Sequence, residues 1–240
     1  MANTFFKFKQ FTVHQELCAM KVCTDACIQG AFTAQYLVDK NTTVPAILDI
    51  GAGTGLLSLM LAQRIPATIT AVELDPAAAQ QAMANFAASP WADRLSLTQT
   101  DVRKLEHEGP YDFIITNPPF YESALKSGHA QKDQAMHATN LSYQELIRAI
   151  DRQLAPSGQV SVLLPYAVFD TFRDLAEVAG FQLREVLYIR QSVNHGFFRT
   201  VGIFDRSKGN TTVKELAIHD ADRVYTDTFV SLLMPYYLYL

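Results

Sequence analysis

Residues 116–121, TNPPFY, close a strand-like run, YDFII, with an amide, two prolines and two aromatics. Proline lacks the N–H of a sheet ladder and fixes its own φ, so a strand stops here. A proline pair taken alone also makes a stiff exit loop. The chemical reading rests on Asn117 and Pro118. If Asn117 Oδ1 and the Pro118 carbonyl each accept one N–H of an amino group conjugated to a ring or carbonyl, its nitrogen can pyramidalise. The lone pair then points at an electrophile, and consecutive prolines hold the accepting carbonyl rigid. Pro119 completes that stiffening, and Phe120 offers a face for a planar target to stack on. Positioning supplies most of the acceleration, and no general base of shifted pKa is needed.

An electrophile needs a cradle, and LDIGAGTG has the composition of one. Gly51, Gly53 and Gly55 fall where a strand turns into a helix, the usual cofactor contact of a doubly wound sheet. Glycine permits the tight turn and the close approach of backbone to ligand. The spacing is G-x-G-x-G, whereas the dinucleotide fingerprint is G-x-G-x-x-G and the phosphate loop needs Gly-Lys-Ser/Thr. Asp49 precedes the glycines; its charge repels a pyrophosphate and suits a cation. S-adenosylmethionine carries a sulfonium and an ammonium and no phosphate, and leaves as S-adenosylhomocysteine. Glu73 ends the next strand, where a carboxylate can accept from both ribose hydroxyls. Asp101, after a third strand, is placed to accept from an adenine amino group, although an acid there also serves as plain turn chemistry.

These residues require a particular scaffold. From residue 46 strand and helix signals alternate: AILDI, GLLSLMLAQRI, TITAVEL, PAAAQQAMANFAAS, LSLTQT and DFIIT. SYQELIRAIDRQL follows as a helix stopped by APSG, then QVSVLLP as a buried strand and AVFDTFRDLAEVAG as a helix ending on Gly180. FQLREVLYIRQ and FFRTVGIFD read as a closing hairpin. Such alternation predicts an α/β, Rossmann-like fold with a mostly parallel, seven-stranded sheet and one antiparallel strand from the hairpin. Upstream, FFKFKQFTVHQ alternates like a short ribbon, and TDACIQGAFTAQYLV is helical with Thr24 or Asp25 as N-cap. DTFVSLLMPYYLYL closes the chain as an apolar-striped helix or tail. We expect one domain over 1–240, with 1–44 as an appendage covering the cofactor, 45–210 as core and 211–240 as tail.

The glycine loop, Glu73, Asp101 and NPPF together resemble the class I S-adenosylmethionine-dependent amino-methyltransferases. There, Asn or Asp followed by Pro, Pro and an aromatic marks N-methylation of adenine, cytosine or glutamine. A narrower resemblance lies outside the core, in FKFKQFTVHQELCAMKVCTDACIQGAF, MHATNLSYQEL and LAIHDADRVYTDTFVSLLMPYYL. These stretches are similar to the bacterial family that methylates N6 of the adenine 3′ to the anticodon in a valine tRNA. The chain departs from that family at Cys23 and Ala26, where glycines are common, and at Met136, where arginine is usual. The resemblance implies that Lys21 and Thr24 belong to a segment folding over the methionine end of the cofactor, and that tRNA is the partner. It leaves a protein glutamine N-methyltransferase and a non-catalytic RNA-binding module as alternatives.

The formal net charge of −4 gives no basic surplus for non-specific nucleic-acid binding. Local basic residues carry that expectation instead: Arg190, Arg199, Arg206 and Lys208 with Lys7 and Lys9 as a phosphate-contacting face, and Lys126, His129, Lys132 and His137 in a long polar loop. Cys18, Cys23 and Cys27 are odd in number and lack paired zinc-site spacing, so buried reduced thiols are expected and no metal. No signal peptide is read at the N-terminus, and no apolar run approaches the roughly 18 residues of a membrane span. The expected setting is cytoplasmic.

Overall fold

The computed structural model describes residues 3–40, 43–106, 110–118 and 141–240. Strands β1 (Phe5–Lys7) and β2 (Thr12–His14) form the short antiparallel ribbon that the alternating pattern predicts. Helix α1 (Thr24–Asp39) follows. Its N-cap is Cys23, without a side-chain cap bond, rather than Thr24 or Asp25. Asp25 is drawn elsewhere: its Oδ2 accepts from Arg199 Nε at 2.8 Å.

Next come β3 (Ala46–Ile50), α2 (Leu56–Arg64), β4 (Thr68–Glu73), α3 (Pro76–Ala87), β5 (Leu95–Gln99) and β6 (Tyr111–Thr116). Then follow α4 (Tyr143–Gln153), β7 (Leu154–Pro165), α5 (Tyr166–Val178), β8 (Gln182–Ser192), β9 (Phe197–Asp205), β10 (Thr212–His219) and α6 (Asp227–Leu233). Asp75 caps α3, its side chain accepting from Ala78 N at 2.8 Å with Pro76 in the first turn. Helix α4 opens with a reciprocal capping box between Ser142 and Glu145.

The main sheet runs β10-β8-β9-β7-β6-β3-β4-β5, with β9 antiparallel to both neighbours and every other pairing parallel. It therefore has eight strands rather than the expected seven. The extra strand, β10, pairs with β8 at the edge, and its first four residues are exposed. Only its second half, residues 216–219, alternates in burial, and residues 212–215 interrupt the pattern. Strand β7 also begins earlier than expected, running through APSG with a register shift opposite Tyr111 and Phe113.

Neighbouring residues of each central strand point to opposite faces and feed two cores. Ile47, Phe113 and Ile115 pack with α1, α2 and α6, whereas Leu48 and Ile114 pack with α4 and α5. Covering both faces leaves the strand ends as the place where polar residues meet the surface. The ribbon docks on this frame from both sides. Asn85 of α3 bonds the His14 backbone at N and O (2.9 and 2.8 Å), and Lys9 N bonds Tyr236 O at 2.8 Å.

Candidate active site

Ile50 of β3 lies between Val72 of β4 and Thr116 of β6 in register. One residue further along each strand, Gly51, Glu73 and Asn117 therefore emerge side by side at the carboxyl edge. Here the sheet runs to β4 and β5 on one side and to β6 and β7 on the other, the switch point where doubly wound sheets bind ligands.

The glycine loop is held open by backbone geometry. Gly51, Gly53 and Gly55 have φ of +74°, +55° and +79°. Gly51 N and Ala52 N both bond Val72 O, at 2.8 and 3.1 Å. A Cβ built at Gly51 or Gly53 meets nothing within 4 Å, so the space in front of these two residues is free for a ligand. Glu73 spans the loop and the next turn, with Oε2 accepting from Gly53 N at 2.8 Å and Oε1 from Asp75 N at 2.9 Å. Both contacts leave lone pairs for a further donor.

Asp49 lies beneath the loop with its side chain fully buried. Its Oδ2 accepts from Ser58 N (3.1 Å) and Ser58 Oγ (2.7 Å), while Oδ1 has no partner. Burial pushes its pKa up to about 7; the Ser58 bonds oppose that shift and the Glu73 charge reinforces it. An unpaired acid under an open cradle, beside a carboxylate with spare lone pairs, fits a ligand that brings positive charge and ribose hydroxyls.

On the other side of β3, Asn117 is half-buried and Pro118 buried. Asn117 Oδ1 is shielded from solvent and has no hydrogen-bond partner. Thr116 anchors the turn, its Oγ1 donating to Ile50 O at 2.9 Å. Its carbonyl accepts from Gln29 Nε2 at 2.9 Å, a contact from α1 that no motif suggested. Pro119, Phe120, Lys126, His129, Lys132, Met136 and His137 lie outside the described residues.

Asp101 is more heavily engaged than its position in the sequence suggests. It caps the short turn Val102–Lys104, accepting from Arg103 N at 2.9 Å, and takes Arg103 NH2 at 2.6 Å. Bonding to Arg103 holds its carboxyl below the usual range. Arg103 reaches on to Glu145 Oε1 at 3.1 Å, tying this edge to α4.

Lys21 donates to the carbonyls of Gln15 and Cys18, and Gln15 Oε1 accepts from Val22 N at 2.8 Å. The lysine thus closes the N-terminal segment on itself. That segment reaches the site: the Cys18 thiol is pushed up to about 11, by burial first and then by the Glu73 charge. Thr24 opens α1 close to the Tyr237 hydroxyl of the tail. Cys23 and Cys27 are each pushed up to about 12 by burial, which leaves both as protonated thiols.

The basic face expected along the hairpin is divided. Arg199 pairs in register with Pro165 at the carboxyl edge, whereas Arg206 follows Asp205, which pairs with Gln182 at the opposite edge. Arg190 and Arg206 meet Glu215 (3.1 Å) and Asp151 (2.7 Å). A two-stranded hairpin spans the whole sheet, so residues close in sequence at its far end leave the site.

Sheet order and glycine-loop position define a class I methyltransferase fold. Residues 31–166 match the family model of the methyltransferase small domain. A predicted O-methyltransferase from Agrobacterium tumefaciens superposes with a TM-score of 0.67 at 18% identity, covering 88% of this chain and 96% of that one. The glycopeptide N-methyltransferase MtfA in complex with S-adenosyl-L-methionine gives 0.55 at 12%, covering 74% and 94%. Sequence relatives are nearer. The tRNA1(Val) (adenine(37)-N6)-methyltransferase of Dyadobacter fermentans is 44% identical over 98% of both chains, and that of Cytophaga hutchinsonii 40% identical over the full length of both. The enzyme of the same name from Bacteroides fragilis strain YCH46 is 37% identical over 99% of both. The chain belongs to the tRNA1(Val) (adenine(37)-N6)-methyltransferase family.

Proposed function

We propose that the protein transfers a methyl group from S-adenosylmethionine to N6 of an adenine in tRNA, the anticodon-adjacent adenine of a valine tRNA, in the cytoplasm. Residues 1–240 work in this reading as one methyltransferase domain. The observation that carries it is the buried, unpartnered Asn117 Oδ1, set beside the open glycine loop. A shielded acceptor with no donor is costly, by about 1–3 kcal/mol, unless a substrate supplies one.

When bound, S-adenosylmethionine supplies an electrophilic methyl group on sulfur. Asn117 Oδ1 and the Pro118 carbonyl accept the two N–H groups of the adenine amino nitrogen and release its lone pair from the ring. Pro119 and Phe120 stiffen and stack in the same scheme. On transfer the sulfur–methyl bond would break as the nitrogen takes the methyl carbon, S-adenosylhomocysteine would leave, and the extra proton on nitrogen would pass to water. Gly51 and Gly53 let the backbone approach the cofactor closely, Gly55 turns the loop into α2 against Phe86, Glu73 accepts from the ribose, and Asp49 contributes a negative field beneath it. Lys21 and Thr24 act by fastening the covering segment. Asp101, oriented by Arg103, contributes its remaining lone pairs at the adenine end.

The test is a methyl-transfer assay with isotope-labelled S-adenosylmethionine and either unmodified valine tRNA or total cell protein, digested to nucleosides and amino acids. Label in N6-methyladenosine, lost in Asn117→Ala, is the expected result. Label in methylglutamine moves the substrate to protein, and no label with cofactor still bound overturns the enzymatic reading.

A further inference from the structure

Gln29 of α1 is fully buried, 87 residues before the turn it touches. Its Nε2 faces three oxygens: Thr116 O at 2.9 Å, Ser161 Oγ at 3.4 Å and Ser161 O at 3.5 Å. Two of these are carbonyls that can only accept, so the end of the amide aimed at them is the donor. The other end, Oε1, is buried without a partner. An apolar side chain of similar size would remove the orphaned Oε1 but leave the buried Thr116 carbonyl without this donor, so the exchange offers little stability either way. Stability alone therefore does not account for the amide.

What the amide holds is the carbonyl of the peptide that leads into Asn117. That peptide plane sets the direction in which the Asn117 backbone leaves β6. Thr116 Oγ1 ties the same residue to Ile50 O, on the strand that ends in the glycine loop. One residue is thereby clamped from α1 below and from β3 beside it. The plane gripped on both sides lies next to the side chain whose Oδ1 must meet an amino group. We propose that Gln29 is a positioning residue for methyl transfer, fixing the Thr116–Asn117 peptide so that Asn117 Oδ1 is aimed at the target nitrogen. This rests on the reading of Asn117 given above.

Small errors of aim affect the transition state more than binding, and a misplacement near 1 Å lowers rate by about a hundredfold. Gln29→Leu removes the donor and the orphan together. Its kcat should fall about tenfold to a hundredfold, while KM for tRNA, cofactor Kd and melting temperature stay close to wild type. Gln29→Met provides a second donor-free variant should leucine disturb folding. Thr33→Val is the control, because Thr33 Oγ1 bonds Ser161 Oγ at 2.8 Å and touches the network without touching the Thr116 carbonyl. Its kcat should be unchanged. Normal kcat in a folded Gln29 variant, with Asn117→Ala inactive, overturns the positioning role and leaves the proposed activity standing. Equal slowing of Thr33→Val overturns it too, by assigning the effect to packing. Normal turnover in Asn117→Ala removes the reading of Asn117 and the inference with it.

Discussion

Glu73 Oε2 accepts the backbone N–H of Gly53 at 2.8 Å, so the acid at the end of β4 is braced by the loop at the end of β3. Both halves of the cofactor cradle thus share one hydrogen bond. Glu73→Ala removes this brace and, in the proposed reading, a ribose acceptor. Cofactor Kd should rise about tenfold to a hundredfold, from the strength of bonds to a charged acceptor. Glu73→Gln, which keeps one acceptor oxygen, should fall between. Calorimetric titration checks both, and unchanged affinity in the alanine variant would falsify the ribose assignment.

In the proposed reaction Asn117 acts through Oδ1, a buried atom without a hydrogen-bond partner. Its removal should therefore leave the fold and cofactor binding intact while lowering kcat by about a hundredfold or more. Single-turnover transfer of labelled methyl, beside a cofactor titration of the same preparation, separates the two effects. A large rise in cofactor Kd would mean that Asn117 mainly holds the donor.

Asp49 has its pKa raised from 3.8 to about 7 by burial. The folded protein binds that proton more tightly than the unfolded chain does. The stabilisation is complete below 3.8 and is lost as pH climbs through about 7. Asp49→Asn keeps an acceptor for Ser58 and removes the titration. Its melting temperature should gain on wild type between about pH 5 and about pH 8. A cationic ligand stabilises the ionised acid, so cofactor binding near pH 6.5 should release protons, read from the dependence of binding heat on the buffer's ionisation enthalpy. Parallel melting curves across that range count against the assignment.

Gly55 opens α2 at φ +79°, and a Cβ there would lie 2.5 Å from Phe86 Cε1. Gly55→Ala combines left-handed strain with a clash against a buried ring. A loss of about 1–3 kcal/mol or more is expected, measured by urea unfolding. Gly51→Ala meets nothing within 4 Å and should lose less stability, while weakening cofactor binding by filling the cradle.

Several parts of the protein were legible because their signals are local. The strand FFRTVGIFD coincides with β9 from end to end, and PAAAQQAMANFAAS covers α3 and runs two residues past its end. Apolar alternation and a proline at a helix start act within a few residues, and that is the range a sequence displays. The N-cap of α1 was not legible, because Asp25 is claimed by Arg199, 174 residues away. Strand β10 was also hidden, since an exposed edge strand answers to its neighbour β8 more than to burial.

By itself the sequence determined the repertoire: glycines before a helix, acids after successive strands, and Asn117 with Pro118 at the end of an apolar run. Residue type and short spacing carry those properties, since donors, acceptors and φ preferences belong to the residue. Only the tertiary structure decided what each group faces. Strand register brought Gly51, Glu73 and Asn117 level at one edge, and α1 crossed the sheet to place Gln29 on the Thr116 carbonyl. It also carried Arg206 to the far edge and brought Arg103 to Glu145, 42 residues on. Hydrogen bonds and ion pairs act over about 3 Å, whereas the residues that make them lie tens of positions apart, and folding alone sets that distance.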